Sequence, residues 1–67
     1  MKRTSYIGYL IEYEDGRWLN EKGELTNNPL EAEIHQLKAE AIWDMVTKWK
    51  VSFEEGYKVT EHEFVIN

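Results

Sequence analysis

The sequence has no cysteine, a single proline, and no uninterrupted apolar run longer than a few residues. Without cysteine there is no disulfide framework, no Cys-ligated zinc finger and no thiol nucleophile. No window approaches the roughly 18 apolar residues that a membrane helix needs, so no membrane partner is expected. Met1-Lys2-Arg3 has the positive start of a signal peptide, but Gly8 and Glu12 break the apolar segment behind it, and a cytoplasmic location is expected. Bases are also scarce, eight against thirteen acids, for a net charge of -5. Direct nucleic-acid binding, which needs lysine and arginine to displace counterions from phosphate, is not expected. The four glycines, Gly8, Gly16, Gly23 and Gly56, are spread singly and form no phosphate-cradling loop. Ser5 and Ser52 lack a Gly-x-Ser-x-Gly setting. The expectation is therefore a protein that is not an enzyme, with no catalytic residue and no cofactor.

What is present is enough to fold. Nine aromatics and an apolar fraction of 42% exceed what a disordered chain carries. At 67 residues the chain is expected to form one domain, residues 1–67, with a thin core that homodimerisation would readily reinforce.

Alternation over residues 5–14 places Ile7, Tyr9, Ile11 and Tyr13 on one face of a strand and Tyr6, Gly8, Leu10, Glu12 and Glu14 on the other. Asp15-Gly16 suits a tight hairpin turn, and Arg17-Trp18-Leu19-Asn20 can return beside the first strand. A second turn at residues 21–24 leaves Leu25 either to begin a short strand or to lead onward. Asn28-Pro29-Leu30-Glu31 reads as a helix start, with Asn28 as cap and Glu31 closing a capping box. Either the helix runs on from there, or residues 33–35 form a brief extended piece before a main helix. The spacing predicts a helix over residues 37–50, with Ala39, Ala41, Ile42, Met45, Val46 and Trp49 on one broad stripe that must cover a sheet. Trp43 falls at the edge of that stripe. Residues 57–66 read as a final strand in which Tyr57 and Val59 face one way and Phe64 and Ile66 the other, so a bulge near Glu61-His62 is one way to bring both pairs inward. The predicted class is α+β: a small, mostly antiparallel sheet of three or four strands, built from a β-hairpin and a final strand, with one helix packed on one face.

Charge is uneven along the chain. Residues 12–33 carry -5 and residues 54–67 carry -3, whereas residues 34–53 carry +1. The candidate contact residues combine these acids with aromatics that can stand partly outside a thin core: Trp18, Trp43, Tyr6, Glu12, Glu14, Asp15, Glu61 and Glu63. Tryptophan and tyrosine carry much of the energy at protein interfaces, and acids steer basic partners. This points to a non-catalytic acidic protein-binding module. The alternative is a nucleic-acid mimic that blocks the basic cleft of a nuclease or polymerase. A third reading, a metal-dependent enzyme, would join His35 and His62 with Glu33, Glu61 and Glu63, but no His-Glu-x-x-His signature accompanies them, and no metal is expected.

Residues 17–32, Arg17-Trp18-Leu19-Asn20 through the Gly23 turn to Thr26-Asn27-Asn28-Pro29-Leu30-Glu31-Ala32, carry an aromatic-Leu-Asn strand and a Thr-x-x-Pro-x-Glu-Ala turn. This pattern resembles small uncharacterised proteins of bacteriophages and prophages, in which a helix and a last strand follow. Ile34 and His35-Gln36 stand where that pattern has a phenylalanine and an acidic cap. The layout is also similar, in architecture alone, to that of small RNA-polymerase inhibitors of T7-type phages. The resemblance implies a phage-encoded protein whose partner is a host protein, such as a nucleic-acid-processing enzyme.

Overall fold

The computed structural model describes residues 4–66; the basic opening Met1, Lys2 and Arg3, and Asn67, lie outside it. Four strands, β1 (Thr4–Tyr13), β2 (Trp18–Leu19), β3 (Leu25–Thr26) and β4 (Tyr57–Ile66), form one antiparallel sheet in the order β3-β2-β1-β4. One α-helix, α1 (Lys38–Thr47), lies between β3 and β4 in the chain, and a turn of 3-10 helix (Phe53–Glu55) precedes β4. The α+β class with one helix on one face is thus observed.

The hairpin forms as its turn chemistry requires. Tyr13 N–H donates to Arg17 O at 2.7 Å, Gly16 takes a φ of 91°, and Glu12 pairs with Trp18. The second turn closes similarly, with Gly23 at φ 79° and Leu19 paired to Leu25, so Leu25 does begin a strand. β1 and β4 run in unbroken register from Thr4↔Ile66 to Tyr13↔Tyr57. The bulge near Glu61-His62, one way to bring both apolar pairs to the same side, is not used, because neither pair needs to move. Each sheet face has its own core.

On one face Ile11, Leu19 and Met45 are buried, with Leu25, Trp49, Val51, Tyr57 and Val59 packed around them. On the other, Leu10, Ala32 and Phe64 are buried with Trp18 and Ile34 against them. The first face is covered by α1 and the second by the segment 28–34. Period-two alternation therefore buries consecutive residues, Leu10 and Ile11, on opposite sides.

The segment before α1 departs from the predicted helix. Asn28 Oδ1 accepts the Leu30 N–H at 3.0 Å, but Glu31 does not close a capping box; its Oε2 accepts from the Thr26 hydroxyl, which itself accepts the Asn28 N–H. After one turn the chain extends, and His35 forms a bridge to Tyr9 through Tyr9 N–H→His35 O at 2.9 Å and His35 N–H→Tyr9 O at 3.0 Å. Those two bonds commit the backbone of His35 to the sheet edge where β2 has already ended. A helix cannot run through it. α1 then spans Lys38–Thr47 rather than residues 37–50, and it ends where Lys50 takes a φ of 56° as Val51 N–H reaches back to Met45 O.

The predicted stripe on α1 is split. Ala41 and Met45 are buried and Trp49 is half-buried, but Ala39, Ile42 and Val46 face outward. The sheet is only a few strands wide on this side, and the helix touches it along a narrow line.

Candidate functional site

Two features of the helix-covered side carry chemistry. The first is the outward surface of α1. Ala39, Ile42, Trp43 and Val46 follow at the i, i+3, i+4, i+7 spacing of one helix face, and Ile42, Trp43 and Val46 are 37%, 68% and 56% exposed. At 100° per residue this row is centred about 130° around the helix from Ala41 and Met45. Glu40 and Thr47 border it on one side and Lys38 on the other. A shallow cleft beside Trp43 is lined by His35, Ala39, Glu40 and Asp44.

The second feature is a polar cluster beneath the helix. His35 is held by its backbone bridge to β1 and is only 7% exposed. Its Nδ1 lies 3.2 Å from Tyr9 O, and its Nε2 lies 2.9 Å from Asp44 Oδ2 on α1 and 3.2 Å from Glu33 Oε1. Glu33 Oε2 accepts from Lys48 Nζ at 2.9 Å, a bond that holds the ammonium pKa above its ordinary value, while Lys48 also lies over the Trp49 ring. Glu33 Oε1 is buried without a hydrogen-bond partner, as is the Trp49 indole nitrogen. Glu33, His35 and Asp44 each offer one donor atom, all within 4.8 Å of one another.

The sequence-derived contact residues do not form one surface. Tyr6, Glu12 and Trp18 share the loop-covered face: Tyr6 stacks on Phe64 with ring centroids 5.2 Å apart, and the Trp18 indole donates to Glu12 Oε1 at 3.2 Å. Glu61 and Glu63 stand on the opposite face with Tyr9, whose hydroxyl donates to Glu61. Glu14 lies at the end of the hairpin beside Gly56, and Asp15 closes the turn with Arg17 at 2.7 Å. The Arg17 hydrogen bonds hold the Asp15 carboxyl below its ordinary pKa. Tyr13 beside it is pushed up, first by the Glu14 charge and then by desolvation and Tyr57. Trp43 stands alone on α1.

The His35-His62 pairing is overturned by the register. His62 is opposite Gly8 on the loop-covered face, hydrogen-bonded to Thr60 at 2.7 Å and edge-on to Trp18. Glu61 lies across β1 from His35, and Asp44 takes the place that sequence reasoning gave to it and Glu63. Asp44 was missed because it looked like one more solvated acid on the polar side of the helix. Its signal was positional: it neighbours Ala41 and Met45, which must touch the sheet.

Among the described residues no helix is long and apolar enough to cross a membrane. Comparison with protein-family models, with curated proteins and with solved structures gives no match for this chain, so its function is to be sought in its own surface chemistry.

Proposed function

We propose that this is a non-catalytic protein-binding module that docks a partner protein on the outward side of α1, with Trp43 as its anchor. The observation that carries this reading is the second apolar row on a helix whose first row already supports the fold. An apolar surface rimmed by polar groups marks an interaction site, and tryptophan is among the residue types most often dominant there. The partner is expected to offer an apolar cleft wide enough for an indole, with a basic residue to meet Glu40. Residues 34–53 carry +1 within a chain of net -5, so this surface is approached past the acids of the hairpin and β4, which favour a basic partner rim. The resemblance to phage and prophage proteins supports a host protein as that partner. The mimic alternative has less support, because Glu12, Asp15 and Glu33 are engaged by Lys58, Arg17 and Lys48 instead of forming a free row of carboxylates.

A photo-cross-linking residue placed at Val46, with one at Lys22 as the remote control, tests this in bacterial lysate. A discrete adduct is expected from position 46 only, lost with Trp43→Ala and persisting at raised salt. Equal adducts from both positions, an adduct indifferent to Trp43→Ala, or none from position 46 would overturn it.

A further inference from the structure

We propose that Glu33, His35 and Asp44 hold one divalent transition-metal ion beneath α1. The argument starts from the tautomer of His35. Tyr9 O can only accept, so Nδ1 must donate to it, and in the neutral ring Nε2 then presents its lone pair. That lone pair faces Asp44 Oδ2 and Glu33 Oε1, two carboxylate oxygens that also only accept when ionised. Three electron-rich atoms thus converge on one point with no hydrogen assigned between them by the neutral ring. Either a second proton on the ring or a bound metal ion resolves this, and the metal is the one that can engage all three atoms together.

The spacing fits. A metal about 2.0–2.2 Å from each of its nitrogen and oxygen ligands places neighbouring donors roughly 3 Å apart. The separations of Nε2 from the two carboxylate oxygens are 2.9 and 3.2 Å, and all three donors lie within 4.8 Å of one another, so a small closure of the two carboxylates completes the set. The outer contacts are those that ligands need: Tyr9 O fixes the imidazole through Nδ1, and Lys48 holds the second oxygen of Glu33. Glu33 Oε1, buried without a hydrogen-bond partner and 3.2 Å from Nε2, is an atom that coordination would satisfy. One imidazole with two carboxylates and no thiolate selects the zinc, manganese and cobalt class over calcium or magnesium. The three ligands come from the extended piece before α1 and from α1 itself, so the ion would clasp the helix to the edge of β1. Two of the three ligands, His35 and Asp44, also line the cleft beside Trp43.

Calorimetric titration of the whole chain with zinc chloride alone, alongside the visible absorption of added cobalt(II), tests the site. One ion per chain is expected, with a higher melting temperature and a zinc-induced shift of the His35 Nε2 resonance. Asp44→Asn and Glu33→Gln, each checked for fold by circular dichroism, should weaken zinc binding by at least about tenfold, while His62→Gln should leave it unchanged. Two variants keep the test decisive if one fails to fold. Absence of saturable binding, affinity unchanged in a folded Asp44→Asn or Glu33→Gln, or loss on His62→Gln would overturn the proposal; the cluster would then be a charged bridge.

Discussion

The two faces of this short sheet are covered by different things. α1 lies over Ile11, Leu19 and Val59, and the irregular segment 28–34 lies over Leu10 and Phe64. A histidine lies under each cover, but the two are treated oppositely: His35 is enclosed between carboxylates under the helix, and His62, on β4, is half-buried against Trp18 and Thr60. The difference lies in geometry. A loop that seals a face with Ala32 and Ile34 leaves Leu30 singly outside, whereas a helix has a far side on which a whole apolar row need not touch the sheet. Only the helical cover can hold the fold with Met45 and offer Trp43 to a partner.

Truncating the cores breaks the comparison most severely. Phe64→Ala should cost about 3–5 kcal/mol and Met45→Ala about 2–5, because each removes a buried side chain from one of the two faces, and urea unfolding reads both. If only one of them destabilised the protein, the two-core description would fail. Next comes Gly8→Ala on the loop-covered face. A Cβ there would stand 2.6 Å from Ile34 Cγ2 and 2.8 Å from a Phe64 ring carbon, contacts too close to tolerate, and about 1–3 kcal/mol should be lost. On the helix-covered side the expected change has the other sign: Lys50→Gly should raise stability by about 1 kcal/mol, since Lys50 holds a left-handed φ of 56°.

The smallest effect lies away from both cores. Asp15 is held below its ordinary pKa by the Arg17 side-chain and backbone hydrogen bonds. A carboxyl depressed in the folded state adds stability above its unfolded value and loses it as pH falls through the lower folded value, so this contribution should be complete above about pH 4 and fade only as pH falls further. Arg17→Ala should move the Asp15 titration midpoint upward in an NMR titration. A midpoint that stays put would show that the pair is not formed in solution.

Local chemistry made part of this fold legible. Asp15-Gly16 and Gly23 marked their turns, and alternation found β1 and β4. The limits are equally specific. Hydrophobic periodicity finds the apolar rows of a helix but not which one meets the sheet, because Ala41 with Met45 and Ile42 with Val46 are alike in local pattern. The choice is made at long range, where Asp44 reaches His35 and Ala41 and Met45 turn toward the core. The interruption before α1 carries no glycine or proline signal either, since its cause is the bridge from His35 to Tyr9, 26 residues away. A bulge in β4 serves a sheet with one core. With two, alternating residues of β4 are useful on both sides.

The account rests on the outer row of α1 lying outside the core of the single chain. Urea unfolding of an Ile42→Gln/Val46→Gln variant, at a concentration low enough to exclude association, tests this directly. Glutamine is at least as good a helix former as isoleucine or valine, so the unfolding midpoint should match that of the original chain or exceed it slightly. A loss of several kcal/mol, or of the cooperative transition itself, would show that these side chains hold the fold together and would contradict their assignment as a contact face.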